Sequence, residues 1–459
     1  MPVLLPTDIL FFLMLSGMLL MAIHALRQDH LRRPWRKVAR SRSAMISAVI
    51  LLVYLLIAVL DSIRLPHAPD AAGGVGEPLT LLDSALLHLR DHQEKSYSAP
   101  LAAEAQDREL IREPDGRESW RYPRLQYGGR HLTDPAQQRT TDIWRRAGLG
   151  AGSGFLGWLM LMVLLTWTLA RRQSRRRHSL GWLLLGETEL PWRAIGLMVL
   201  LISLLAGSVG ALSLEYHVLG TSKVGEDVLY QSLKSVRTGI LIGTLTTLAT
   251  LPLALTLGIL AGYYRGWVDD VIQYLYTTLN SVPGVLLIAA AMLVMQSYMA
   301  RHEAEFASLA TRADFRLLAL CLILGLTSWT GLCRLLRAET LKLREMEYVQ
   351  AARVLGVSHG RILIRHILPN LFHLVLISVA LDFSSLVLAE AVLSYVNIGV
   401  DPTTESWGNM INGARLEMAR EPAVWWSLAS AFLFMFALVL PANLFADAVR
   451  DAFDPRRAE

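Results

Sequence analysis

Cysteine is nearly absent: the 459 residues include only Cys321 and Cys333, both in one apolar run. Two thiols so placed support neither a disulfide framework nor a metal site, and small buried side chains are the plain reading. Charge is scarce too. Charged residues make up 18% of the chain and hydrophobic ones 53%, whereas soluble domains carry about 25% charged residues. That deficit excludes a large soluble core and points to lipid. Catalytic signatures are also missing. There is no G-x-x-x-x-G-K-[ST] phosphate loop, no H-E-x-x-H and no G-x-S-x-G elbow. No catalytic residue, metal site or cofactor of its own is expected, and any ATP hydrolysis with its Mg falls to another polypeptide.

Long apolar runs are present instead. Runs of about 17 to 25 residues cross a hydrocarbon core, and nine are expected: Asp8 to Leu26, Ala44 to Leu60, Gly152 to Ala170, Ala194 to Leu212, Thr238 to Gly262, Val271 to Gln296, Leu317 to Leu336, Leu371 to Val396 and Val424 to Ala448. The net charge of +5 does not indicate nucleic acid, because the basic residues flank apolar runs. Arg27, Arg32, Arg33, Arg36, Lys37, Arg40 and Arg42 follow the first run, and Arg171, Arg172, Arg175, Arg176 and Arg177 follow the third. Positive-inside orientation makes both loops cytoplasmic. Alternating crossings then put the N-terminus outside. Segment 345–370 and the Asp454-Pro455-Arg456-Arg457 tail fall inside.

The expected architecture is an all-α polytopic membrane protein. Residues 1–60 hold two spans and a basic cytoplasmic loop, 61–151 a periplasmic insert, 152–212 two further spans, 213–237 a periplasmic segment, and 238–459 a core of five spans. The insert carries an aromatic patch at Trp120, Tyr122 and Tyr127. A small accessory domain and a partly ordered excursion both fit its composition.

Segment Glu347 to Arg361 has a helical pattern broken at Gly356, and a second piece, Ile362 to Ile367, meets Leu368-Pro369. This reads as two short helices joined at a glycine. Ala351 and Ala352 let the first sit close to a facing surface, with Tyr348 and Leu355 filling hollows in it. An amphipathic helix lying at the membrane interface fits the spacing equally. Asp382 and Glu390 fall inside the span from Leu371, where charge is costly. They line a path or gate, or else are hydrogen-bonded between helices, which is the preferred reading for Glu390. Pro283-Gly284 should kink the span from Val271. Gly220, Thr221, Gly225 and Asp227 read as turn and helix-start chemistry, with Asp227 capping the helix from Val228.

Segment Gln350 to Pro369 resembles the EAA motif of ABC importer permeases, carried by Gln350-Ala351-Ala352, Gly356 and Leu368-Pro369, with Gln350 where the motif has Glu. The run Leu219-Gly220-Thr221-Ser222-Lys223-Val224-Gly225-Glu226-Asp227-Val228-Leu229 is similar to the L-G-T-D-x-x-G-R-D-V-L segment of dipeptide, oligopeptide and nickel permeases, Ser222 and Glu226 departing from it. Trp329 to Arg344, Glu390 to Ser394, Ser406 to Met410 and Arg450 to Pro455 follow that family in order. The resemblance implies a type I importer fold and the C-type subunit of a peptide system. It implies, as partners, a B-type permease, two ATPase subunits and a periplasmic solute-binding protein, in the bacterial inner membrane. Tyr348, Gln350, Ala351, Ala352, Gly356, Leu368 and Pro369 would couple to the ATPase. Gly220, Thr221, Gly225 and Asp227 would lie near the external face. Import of nickel, an opine or another small solute is the alternative within the family, and a membrane sensor or interaction protein is the alternative outside it.

Overall fold

The computed structural model describes residues 5–27, 29–65, 79–112, 118–172, 190–306 and 308–453. Arg175 to Arg177 and the Asp454 to Arg457 tail lie outside them. Among the described residues nine helices are long and apolar enough to cross a membrane. The chain is thus a helical, multi-pass membrane protein. Four elements differ from the sequence reading, each for a local reason.

The first basic loop is itself mostly helix, α2 (Asp29–Arg40), between α1 (Pro6–Arg27) and α3 (Arg42–Ser62). Arg32, Arg33, Arg36, Lys37 and Arg40 are exposed while Val38 is buried, so the helix is amphipathic. The third span begins far earlier than Gly152, as α6 (Pro135–Arg172), 38 residues long with proline at its first position. The expected kinked span from Val271 is instead two helices, α8 (Val228–Tyr264) being followed by α9 (Trp267–Ser281) and α10 (Gly284–Arg301). Proline disfavours helical backbone in the residue before it, and Val282 is extended at φ −94° and ψ 130°. That residue ends the helix. Finally, the eighth span does not begin at Leu371. It runs unbroken from His359 to Tyr395 through a π turn, Leu363–Ile367. Pro369 has no N–H to donate, and the wider turn is closed by Leu368 N–H donating to the Leu363 carbonyl.

The chain divides into two compact units. One holds residues 36–237 and 405–441. In it α6 packs on α7 (Trp192–Ser213) through small residues. A Cβ on Gly154 would collide with the Ser203 carbonyl, and one on Gly150 with that of Gly207. Trp158 Nε1 donates to the Gly196 carbonyl at 2.9 Å and Ser208 Oγ to that of Ala147 at 3.1 Å. Close backbone approach sealed by hydrogen bonds is how helices associate where lipid is as apolar as leucine.

The insert is folded over its described part. Strand β1 (Arg64–Leu65) pairs antiparallel with β2 (Leu79–Thr80), and β3 (Glu109–Arg112) with β4 (Glu118–Arg121). Between the two hairpins lie α4 (Leu81–Ala85), opened by a Thr80–Asp83 capping box, and α5 (Leu87–Asp91). Lys234 Nζ ties this region to α8, reaching Asp61 at 2.7 Å and Asp83 at 2.9 Å.

The second unit holds residues 3–35, 238–404 and 442–459. Here α8 packs on α11 (Leu309–Arg344): Gly258 abuts Cys333 and Leu336, Gly262 abuts Thr340, and Gly325 abuts Ala249. Both thiols are free and buried. Alongside α11, α9 presents its polar groups in register. Arg337 forks onto Asp269 at 2.5 and 2.7 Å, and Thr330 Oγ1 donates to Asn280 at 3.1 Å.

Overpacking a tight helix contact costs about 1–3 kcal/mol. Gly154→Leu should therefore lower the thermal unfolding midpoint of the detergent-purified protein. Gly157→Leu, where a Cβ meets nothing within 4 Å, should leave it unchanged.

Candidate functional site

Segment 347–370 is a short helix, a turn and the start of a long helix. Helix α12 (Glu347–Val354) ends in a Schellman closure, with Val357 N–H donating to the Ala352 carbonyl and Gly356 N–H to that of Arg353, both at 3.0 Å. That closure requires a left-handed residue, and Gly356 has φ +76°. The chain then turns into α13 (His359–Ile362), which continues through the π turn into α14 (Leu368–Tyr395).

One stripe of this element is inward. Val349, Ala352, Ile362 and Ile367 are buried in one core with Tyr263, Leu336 and Leu371. Ala352 therefore faces its own chain, not a partner. Positions 349 and 352 share a helix face, so only Ala351 of the alanine pair is exposed. Leu368 is half-buried against the same core, whereas Gln350, Gly356 and Pro369 are exposed. Gln350 Nε2 donates to the Glu345 carbonyl at 3.1 Å, and Tyr348 Oη accepts from Asn370 Nδ2 at 3.2 Å. Two apolar side chains stand far out, Val354 at 87% and Leu355 at 81% exposure.

The sequence reading missed what holds the element in place. Tyr263, next to last in α8, hydrogen-bonds His359 Nδ1 at 2.7 Å. Its ring lies 5.7 Å from the Arg353 guanidinium, and its carbonyl accepts from Arg344 at 2.6 Å. Arg265 pairs with Glu345 at 2.7 Å. The signal was the aromatic pair Tyr263-Tyr264 ending a long apolar run.

The two intramembrane carboxylates part company. Glu390 is buried, with Ser394 Oγ donating to it at 2.7 Å. Asp382 instead lines a pocket of about 380 Å³ with Thr247, Thr250, Ser328 and Ser385.

Gly220, Thr221, Gly225 and Asp227 are brought together, but inside the first unit and not at its surface. Thr221 and Asp227 are 0% and 1% exposed. Thr221 N–H donates to the Ser98 carbonyl and Glu94 N–H to that of Gly225, both at 3.0 Å. Asp227 Oδ1 accepts from the backbone of Leu229 and Tyr230, capping α8. Its other oxygen meets His217 Nδ1 at 2.7 Å, while Glu94 stands 3.6 Å from Nε2. Glu94 also accepts the N–H groups of Gln126, Tyr127 and Gly128. Burial opposes charge on His217, but its hydrogen bond to Asp227 and the nearby Glu94 carboxylate outweigh that and push its pKa up to about 9. Burial likewise opposes charge on Glu94, and His217 with the three amides holds its carboxyl below the usual range. Both groups are therefore charged at neutral pH.

A family profile described as "Binding-protein-dependent transport system inner membrane component" matches residues 254–459. The glutathione transport system permease protein of Pectobacterium atrosepticum is 32% identical over 242 residues, 52% of this chain and 73% of that one. The oligopeptide transport system permease protein of Mycobacterium bovis is 32% identical over 239 residues, 52% and 76% of the two chains. The dipeptide transport system permease protein of Lactococcus lactis is 29% identical over 255 residues, 53% and 65%.

A histidine whose folded pKa lies above its ordinary 6.5 stabilises fully below that value, and its contribution is lost as pH rises through about 9. Residues 79–112 and 118–134 should then resist limited proteolysis at neutral pH and become susceptible near pH 10. His217→Gln should remove most of that pH dependence.

Proposed function

The chain belongs to the binding-protein-dependent inner-membrane permease family of ABC importers, and from that premise we propose that it forms half of a peptide path driven by ATPases on separate subunits. The premise makes it a multi-pass inner-membrane protein that transports rather than catalyses. Peptide substrates are supported by its relatives, which are glutathione, oligopeptide and dipeptide transport permeases. The proposed partners are a B-type permease, two ATPase subunits and a periplasmic solute-binding protein. ATP and Mg bind the ATPases. The N-terminus lies outside and segment 347–370 inside.

One observation carries the coupling assignment: the exposed turn at Gly356 is rigidly joined to a span. Tyr263 at the end of α8 holds both sides of the turn, bonding His359 of α13 and lying under Arg353 of α12, and α13 runs into α14 without a break. A push on Val354 and Leu355 is delivered to α14 as a tilt, because no flexible joint lies between His359 and the membrane. ATP-driven closure of the ATPases thereby biases a two-state membrane element. With Gln350 bonded to its own backbone, docking rests on shape and not on an ion pair. Tyr348, Ala351 and Pro369 add exposed contact around these knobs, while Ala352 and Leu368 brace the element from within. In the membrane, Asp382 with its threonine and serine neighbours lines the path, and Glu390, buried and bonded to Ser394 within α14, plays a structural part.

Co-purification of an ATPase with the chain tests the class. Its absence would favour a sensor. Gly356→Leu should abolish peptide uptake by reconstituted transporter while ATP hydrolysis persists. A left-handed turn costs a branched residue about 1–2 kcal/mol. A Cβ at 356 meets nothing of this chain within 4 Å, so Gly356→Asn, which tolerates that backbone, should retain more uptake. Unchanged uptake in Gly356→Leu would sink the coupling assignment.

A further inference from the structure

A binding-protein-dependent permease must receive its binding protein on the side opposite its ATPases. Helix α8 ends at Tyr264, beside the coupling segment, and begins just after Asp227. Its apolar length carries the chain across the membrane between them. The binding protein is therefore received at the Asp227 end.

What that end offers to water is mostly not the loop from Leu219 to Asp227. The insert lies over it. A Cβ on Gly225 would collide with the Glu94 backbone, and one on Gly220 with the Ser98 carbonyl and the Trp426 ring. Further main-chain bonds run from Leu101 N–H to the His217 carbonyl at 2.9 Å and from Gly129 N–H to that of Glu215 at 2.8 Å. The cover is no lid, since lifting it would part His217 from Glu94 and leave each buried group without one of its charged partners. Only the loop tip, Lys223 and Val224, remains exposed.

We propose that the binding protein docks on the insert, through the hairpin of β3 and β4, in place of the loop beneath it. This rests on the importer reading above. The hairpin presents Leu110 opposite Trp120, with Trp120 67% exposed and Tyr122 beside it. The Arg108 guanidinium lies 5.1 Å from the Tyr122 ring. Exposed tryptophan, tyrosine and arginine are the residue types that carry protein interfaces. At its base Arg420 pairs with Asp107 at 3.0 Å and lies over the Tyr97 ring at 5.4 Å. A load on the hairpin is thus passed to residues 407–426, which lead into a span.

The test uses the complete transporter in nanodiscs with its cognate solute-binding protein, titrated by surface plasmon resonance and by stimulation of ATP hydrolysis. Trp120→Ala with Tyr122→Ala should raise Kd about tenfold or more and leave basal hydrolysis unchanged. Trp120→Phe should restore most of the affinity, and Lys223→Glu with Val224→Glu should change it little. An unchanged Kd in the hairpin variant, or a larger loss in the loop-tip variant, overturns the proposal while leaving the importer reading intact. A chain that binds no ATPase overturns that reading, and the proposal with it.

Discussion

A backbone in hydrocarbon must satisfy its own N–H and C=O groups, and the architecture depends on where this chain is excused from doing so. Between α8 and α14 the described helices are interrupted five times, and three of these stops stand out, around Gly266, at Val282-Pro283 and at Gly356. The first and last stops carry left-handed glycines with open space where a Cβ would be. Tyr263 before one stop is bonded to His359 after the other. Two chain ends that would otherwise fray are thereby fastened to each other.

The middle stop is different. Asn280 through Leu286 are all exposed on this chain, yet Asn280 is bonded to Thr330, well within the apolar stretch of α11. Interrupted backbone at that depth cannot face lipid. It faces another protein surface or water.

Apolar runs made the spans legible, because hydropathy depends on composition and not on partners. Breaks were harder. Val271 to Gln296 is apolar on average, and the polar groups that mark α9 as a separate helix, Asp269 and Asn280, are explained only by Arg337 and Thr330 of α11 beside it. The coupling element was legible as small residues around a glycine. Spacing alone did not reveal that Ala352 turns inward, since that depends on where Ile362 and Tyr263 come to lie. The insert was least legible. Its order comes from pairs remote in sequence, Glu94 with Gly225 and Ser98 with Thr221, and its own apolar content is too small to announce a core.

Those remote pairs make the insert more than an appendage. Asp227 performs two tasks, capping α8 with one oxygen and holding His217 with the other. Glu94 completes the charge balance from the insert side, and its remaining oxygen lone pairs are taken by three amides of the same segment. Remove the insert and a buried cation loses one of its two anions, while Thr221 loses its bonds to Ser96 and Ser98. Leaving one member of a buried ionic group unpaired costs several times what an exposed pair contributes. The start of α8, the helix whose far end is bonded to His359 through Tyr263, is thus set by residues that lie more than a hundred positions earlier in the chain.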